Sequence, residues 1–197
     1  MTSIAGLRGT TGKDWYSWPV GTPAPALSEI SALYGEESEA ANTISSAITS
    51  CDELAIEVGA ALAGIWIPQE NTDLIPAQWW VRILTSPEED TLRSARRYER
   101  TVKDRTVDGT TIVFSQYLST FFASDVEAVL IIETRADGDE AQPYILAQTA
   151  YFPLWTKDRV VLEALCSHFT LTQEFADEVA TLASSLILES SDSNNEE

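Results

Sequence analysis

His168 follows Cys166 by two residues, and a thiol beside an imidazole is the pair a cysteine nucleophile needs. The spacing works against it. In an extended strand such residues point the same way but stand roughly 6–7 Å apart, beyond hydrogen-bond reach. Both could face a metal, yet two ligands do not make a site, and no second histidine exists to finish one. The plainer reading of His168 is a half-buried strand position. Paired carboxylates could do acid–base work, and Glu127, Glu133 and Glu163 are the candidates on ordered segments. With 31 acids in the chain some must lie near others, so sequence proximity says little. Glu133 and Glu163 sit in apolar strands and are the better candidates for a perturbed pKa. Each is expected on the solvent-facing side. Neither GxGxxG nor GxxxxGK[ST] occurs, so no phosphate cradle is present. No catalytic residue, metal site or cofactor is expected.

Charge carries more information. The chain has 31 Asp+Glu against 12 Lys+Arg, a net charge of -19. Such a molecule repels nucleic acid and anionic lipid at long range. Its base is concentrated, with Arg93, Arg96, Arg97, Arg100, Lys103 and Arg105 in one short stretch. Two readings stand. The charges pair locally, Glu89 with Arg93 and Glu99 with Lys103 at four-residue spacing, each worth a few tenths of a kcal/mol. Alternatively Arg93, Arg96, Arg97 and Arg100 form a ridge for bidentate recognition of a partner's carboxylates. Trp15-Tyr16-Trp18 is a second concentration. Read structurally, it anchors the N-terminal arm to the core; read functionally, it contacts a partner.

The elements that must position these groups follow from periodicity and punctuation. Residues 1–26 are broken by glycine and proline and read as irregular. Ala26 to Thr49 is helical in spacing, interrupted at Gly35. Asp52 to Pro68 reads as extended chain, with Leu54, Ile56 and Val58 alternating. Ala77 to Thr85 is a strand with Trp79, Val81 and Ile83 on one face and Trp80, Arg82 and Leu84 on the other. Ser86-Pro87-Glu88-Glu89 has the form of a helix start, and the basic helix should run from there to about Lys103. Strands follow over Thr110–Ser119, Val126–Arg135, Pro143–Leu154 and Arg159–Leu171 as an antiparallel meander, with Asp137-Gly138 a turn. A last helix buries Phe175, Val179, Leu182 and Leu186. Strands in runs, flanked by helices, indicate an α+β fold: an antiparallel β-sheet flanked by helices, with an N-terminal helical arm. The expected divisions are 1–50 for the arm, 51–188 for the α+β domain and 189–197 for a disordered acidic tail.

The order of elements from Leu54 to Leu188 resembles that of the Mog1/PsbP-like superfamily. The resemblance implies a non-enzymatic binding protein, since members mostly act as partners or chaperones. No functional residue is carried over by it.

The two cysteines, Cys51 and Cys166, fit a reduced protein, with one long-range disulfide left open. Met1 to Gly12 holds no apolar run of the secretory kind, and Val58 to Pro68 is too short to span a bilayer. The expected location is cytoplasmic. The expected function is binding another protein, as adaptor, chaperone or immunity-type inhibitor. The partner would be another protein with a basic patch; neither nucleic-acid binding nor membrane insertion is expected. Trp15, Tyr16, Trp18, Trp80, Arg93, Arg96, Arg97 and Arg100 are the candidate contact residues. One alternative is a ligand-binding module or enzyme with a pocket between sheet and last helix, lined by Trp66, Trp79 or Tyr151. The other is a nucleic-acid mimic.

Overall fold

A computed structural model describes residues 3–8, 14–35, 38–68, 75–85, 94–107, 109–123, 125–138 and 142–191, without the side chains of 118–123. The fold is α+β. A seven-stranded antiparallel sheet runs in the order β2-β3-β4-β8-β7-β6-β5. These strands are β2 (Trp15–Pro19), β3 (Leu62–Trp66), β4 (Ala77–Leu84), β5 (Thr110–Ala123), β6 (Val126–Asp137), β7 (Tyr144–Pro153) and β8 (Arg159–Cys166). A separate two-stranded ribbon pairs β1 (Ile4–Arg8) with β9 (Ile187–Ser190). The helices are α1 (Ala24–Tyr34), α2 (Glu39–Glu57), α3 (Ala95–Lys103) and α4 (Thr172–Ser185).

Alternation along the strands gives the sheet two apolar faces, which is why helices cover both. On the first face α4 lays Phe175, Val179 and Leu182 over Trp66, Trp79, Val81, Tyr151 and Leu162. The second face is shared. Over β2 to β4, Ile30 of α1 and Ile44, Ile48, Cys51 and Ala55 of α2 meet Trp18, Ala63, Ile65 and Trp80. Farther along, Ala95, Tyr98 and Val102 of α3 meet Val129, Ile131, Ala150, Phe152 and Val161. Each fully buried large side chain is worth about 1.5–3 kcal/mol, so these three clusters carry most of the favourable energy.

Several sequence expectations are corrected. The irregular arm contains two strands, β1 and β2. Their partners, β9 and β3, lie far off in sequence, so no local pattern reveals the pairing. Asp52 to Glu57, expected extended, is the last turn and a half of α2. The Leu54/Ile56/Val58 alternation misleads there because Ile44, Ile48, Cys51 and Ala55 already set a helical stripe, and Ile56 ends up exposed. Helix α2 is capped by Ser38, whose side chain accepts from Ala41 N at 3.0 Å, and it crosses residues 50 and 51 without a break. The buried Asp52 accepts from Trp18 Nε1 and from Gly21 N, both at 2.9 Å, and so ties α2 to the end of β2. Strand β5 extends to Ala123, while β8 stops at Cys166 and yields to a short 3-10 turn, Phe169–Leu171. Glu189 and Ser190, expected in a disordered tail, belong to β9. The helix-start motif at 86–89 lies outside the described residues, as does Arg93. Within them, α3 begins at Ala95 under a Ser94 cap that accepts from Arg97 N.

Candidate functional site

Helix α3 divides sharply into two sides. Ala95, Tyr98 and Val102 are buried against the sheet; Arg96, Arg97 and Arg100 are exposed. Lys103 pairs with Glu99 at 2.5 Å, the four-residue pairing expected from sequence. The Glu89–Arg93 pairing lies outside the described residues. Among the described residues no carboxylate is bonded to Arg96, Arg97 or Arg100.

Beneath α3 the sheet carries an ion network. Glu133 on β6 is 0% exposed, which corrects its expected solvent-facing position. It survives there because three donors reach it. Arg105, just past α3, donates at 3.0 Å; Arg135 donates through Nη2 at 2.6 Å and Nε at 2.8 Å; the Tyr117 hydroxyl donates at 3.2 Å. A carboxylate so enclosed is neutralised by charge-assisted bonds. Glu163 on β8, half-buried, has its own set: Trp80 Nε1 at 2.9 Å, Arg82 at 2.6 Å and Gln148 Nε2 at 2.7 Å. Gln148 in turn accepts from the Tyr98 hydroxyl at 2.8 Å, which links the underside of α3 to the sheet. The Arg159 guanidinium lies 5.8 Å over the Tyr98 ring, and Lys103 Nζ 5.3 Å over Tyr117. Burial raises the Tyr98 pKa despite Arg105 and Arg159 nearby, so the phenol stays a donor.

The remaining chemical candidates do not converge. Cys166 Sγ donates to the carbonyl of His168 at 3.5 Å, not to its ring, and burial raises the thiol's pKa. Burial likewise pushes Cys51 up to about 12. Both thiols are free and buried, so neither is poised as a thiolate nucleophile. Among the described residues no group of three or more His, Cys, Asp or Glu could hold a metal ion.

The aromatic candidates divide differently from the arginines. Trp15 and Trp18 are three positions apart on β2, so they face opposite sides of the strand and fall in different clusters: Trp15 stacks on Trp66 in the first, and Trp18 lies in the second. Both are buried, and Trp80 is buried too, held by Glu163. Tyr16 is half-buried against the second cluster. Burial, with Tyr34 beside it, raises its pKa to about 12.

A cavity of about 350 Å³ lies between the sheet and α4. Leu62, Val81, Leu162, Leu182 and Leu186 line it, with Trp79; Trp66 and Tyr151, also expected there, do not. The Tyr151 hydroxyl instead donates to Ala183 O at 2.8 Å. The indole N–H of Trp79 is buried with no hydrogen-bond partner among the described residues.

Sequence reasoning missed the network because its members, Arg82, Tyr98, Arg105, Tyr117, Arg135 and Gln148, are scattered over six elements and loops. The one available signal was a charged residue alternating with large apolar ones in β4 and β6, on positions that a two-sided sheet buries.

No protein-family model matches the chain, and no curated protein matches it. The structure is similar to the solution structure of cyanobacterial PsbP (CyanoP) from Synechocystis sp. PCC 6803. The match covers 95% of each chain at 12% sequence identity, with a TM-score of 0.43. Among the described residues no helix is long and apolar enough to cross a membrane.

Proposed function

We propose that this chain is a non-enzymatic protein-binding protein whose contact is the outer side of α3. One observation carries the reading. Arg96, Arg97 and Arg100 are exposed side by side, bonded to no carboxylate among the described residues, on a molecule with 19 excess negative charges. A purely structural role, local neutralisation of acid, would have them paired. Three exposed guanidiniums suit a partner's carboxylates, where forked donors give both energy and direction. The surrounding acid surface attracts a partner that is basic elsewhere, which speeds encounter and fixes register. Trp15, Trp18 and Trp80 serve as internal anchors in this reading rather than as contacts.

The test is a triple reversal, Arg96, Arg97 and Arg100 to Glu, assayed by affinity capture and a thermal unfolding curve. The expected result is an unchanged unfolding midpoint with loss of one captured protein, and capture by the parent chain that weakens with salt. Loss of folding, or capture unaffected by reversal, sinks the proposal.

A second reading rests on the cavity under α4. Its volume falls within the range of small-molecule sites, and its wall, apolar but for Arg8 and Ser17, includes Trp79, whose buried indole N–H has no hydrogen-bond partner among the described residues. A compact apolar ligand with one acceptor would suit it. A thermal-shift screen should then show one compound stabilising the parent but not Leu182→Trp, which fills the space; equal stabilisation of both rejects this reading.

A further inference from the structure

Strand β5 is the last strand of the seven-stranded sheet, and among the described residues its outer edge pairs with nothing. It is 14 residues long, twice or more the length of most strands. A free edge is a template for another strand, and soluble proteins ordinarily blunt it with lysine, proline or brevity. The opposite edge, β2, is blunted in this way: five residues ending in Pro19. Strand β5 is not. Thr110 to Ala123 contains no charged residue and no proline, in a chain where 22% of residues are charged. Val113 and Phe114 stand 68% and 55% exposed on it. Its only blunting devices are two register irregularities, at Ile112/Phe114 and Phe121/Ala123, and they leave Phe114 to Phe121 in regular register between them.

We propose that the β5 edge is the interface for a second copy of this chain, the two β5 strands pairing antiparallel about a two-fold axis. The occupant follows from charge and length. Copies at -19 each repel, so like meets like with least opposition where no carboxylate faces another, and β5 is an uncharged stretch whose length matches its own copy. At physiological salt the Debye length is about 8 Å, less than two strand spacings, so acids deeper in each molecule are screened at such a junction. A strand meeting itself about a two-fold is matched in length and leaves no new free edge, so assembly closes at two. Pairing would cover Val113 and Phe114 from both sides. This inference is independent of the arginine row and has the opposite salt dependence.

Sedimentation equilibrium on the full chain, between about 0.05 M and about 0.5 M salt, tests it. The expected result is a monomer–dimer equilibrium that tightens as salt rises. Hydrogen exchange should show amides of residues 110–117 gaining protection with protein concentration. The exposed-edge variants Val113→Lys and Phe114→Lys should each weaken the dimer by about tenfold or more while leaving the unfolding midpoint of the monomer in place. At about 0.5 M salt, where the added repulsion is screened, the triple arginine reversal should leave the dimer intact. A chain that stays monomeric at every salt, a dimer indifferent to both lysine variants, or growth beyond two copies overturns the proposal. So does protection of β5 that arises only when a different protein is added.

Discussion

At the scale of single residues the most consequential group is Glu133. Its carboxylate is wholly buried, and its cost is met only because Arg105, Arg135 and Tyr117 all donate to it. Removing the charge would strand two guanidiniums at the sheet surface. Breaking such a pair typically costs 3–5 kcal/mol, while replacing a whole buried set by apolar groups can be neutral. We therefore expect Glu133→Gln to lower unfolding stability by about 3 kcal/mol in a urea titration. The variant should also loosen α3, since Arg105 follows directly from that helix. A loss under about 0.5 kcal/mol would mean that the guanidiniums are solvated enough to stand alone. Glu163 differs in being half-buried, and its loss should cost less. The sequence offered both acids as perturbed candidates but assigned them to solvent. The reason is that strand alternation tells which residues share a face, not whether a helix from elsewhere covers it. The contact role given to Trp15, Trp18 and Trp80 had the same origin. Large aromatics mark burial as readily as binding, and only the position of α1, α2 and α4 decides between them.

At the scale of elements, local chemistry predicted what local chemistry controls. The faces of β4, the meander β6–β7–β8 and the buried stripe of α4 all follow from period and turn residues. Gly138, at φ +85°, sits in the left-handed conformation its Asp-Gly turn demands. What escaped was set by distant partners: β1, β2, β9 and the extent of α2. Gly64 in β3 shows how tight such long-range fitting is. A Cβ there would press on the Tyr16 carbonyl of β2 and stand 2.5 Å from Trp79 Nε1 of β4. Neither a backbone carbonyl nor a ring locked in the first cluster can move aside cheaply. Gly64→Ala should thus destabilise the fold by about 2–3 kcal/mol, a cost of overpacking rather than of altered backbone freedom. A fall of the unfolding midpoint by several degrees would register it, and a neutral result would show that β2 can shift outward.

At the scale of the whole molecule two electrostatic facts pull in different directions. The surface as a whole is acid and repels its own kind, while α3 exposes a basic row and β5 an uncharged edge. Salt separates the two. It weakens contacts made through the arginine row and strengthens pairing through β5, because in one case it screens attraction and in the other repulsion. One series of salt concentrations therefore tells which surface is engaged. Net charge was plain from composition, and so was the clustering of arginines. That no carboxylate among the described residues bonds Arg96, Arg97 or Arg100 was not, because pairing depends on which acids the fold brings near α3. The edge status of β5 was hidden for a related reason: strand order across a sheet is not written in strand order along the chain.

The ribbon of β1 and β9 has a further consequence for how the molecule is made. Ser191 N donates to Ser3 O at 3.1 Å, so the first and last described strands are clasped together. Leu7 and Leu188, both packed on the cluster under α4, come from its two halves. During vectorial synthesis β1 emerges before every strand of the sheet and must wait unpaired until β9 leaves the ribosome. The sheet and its other helices have all their partners before then. The clasp thus closes only after the strands of the sheet have been made, and the first cluster stays open on that side until translation has passed β9.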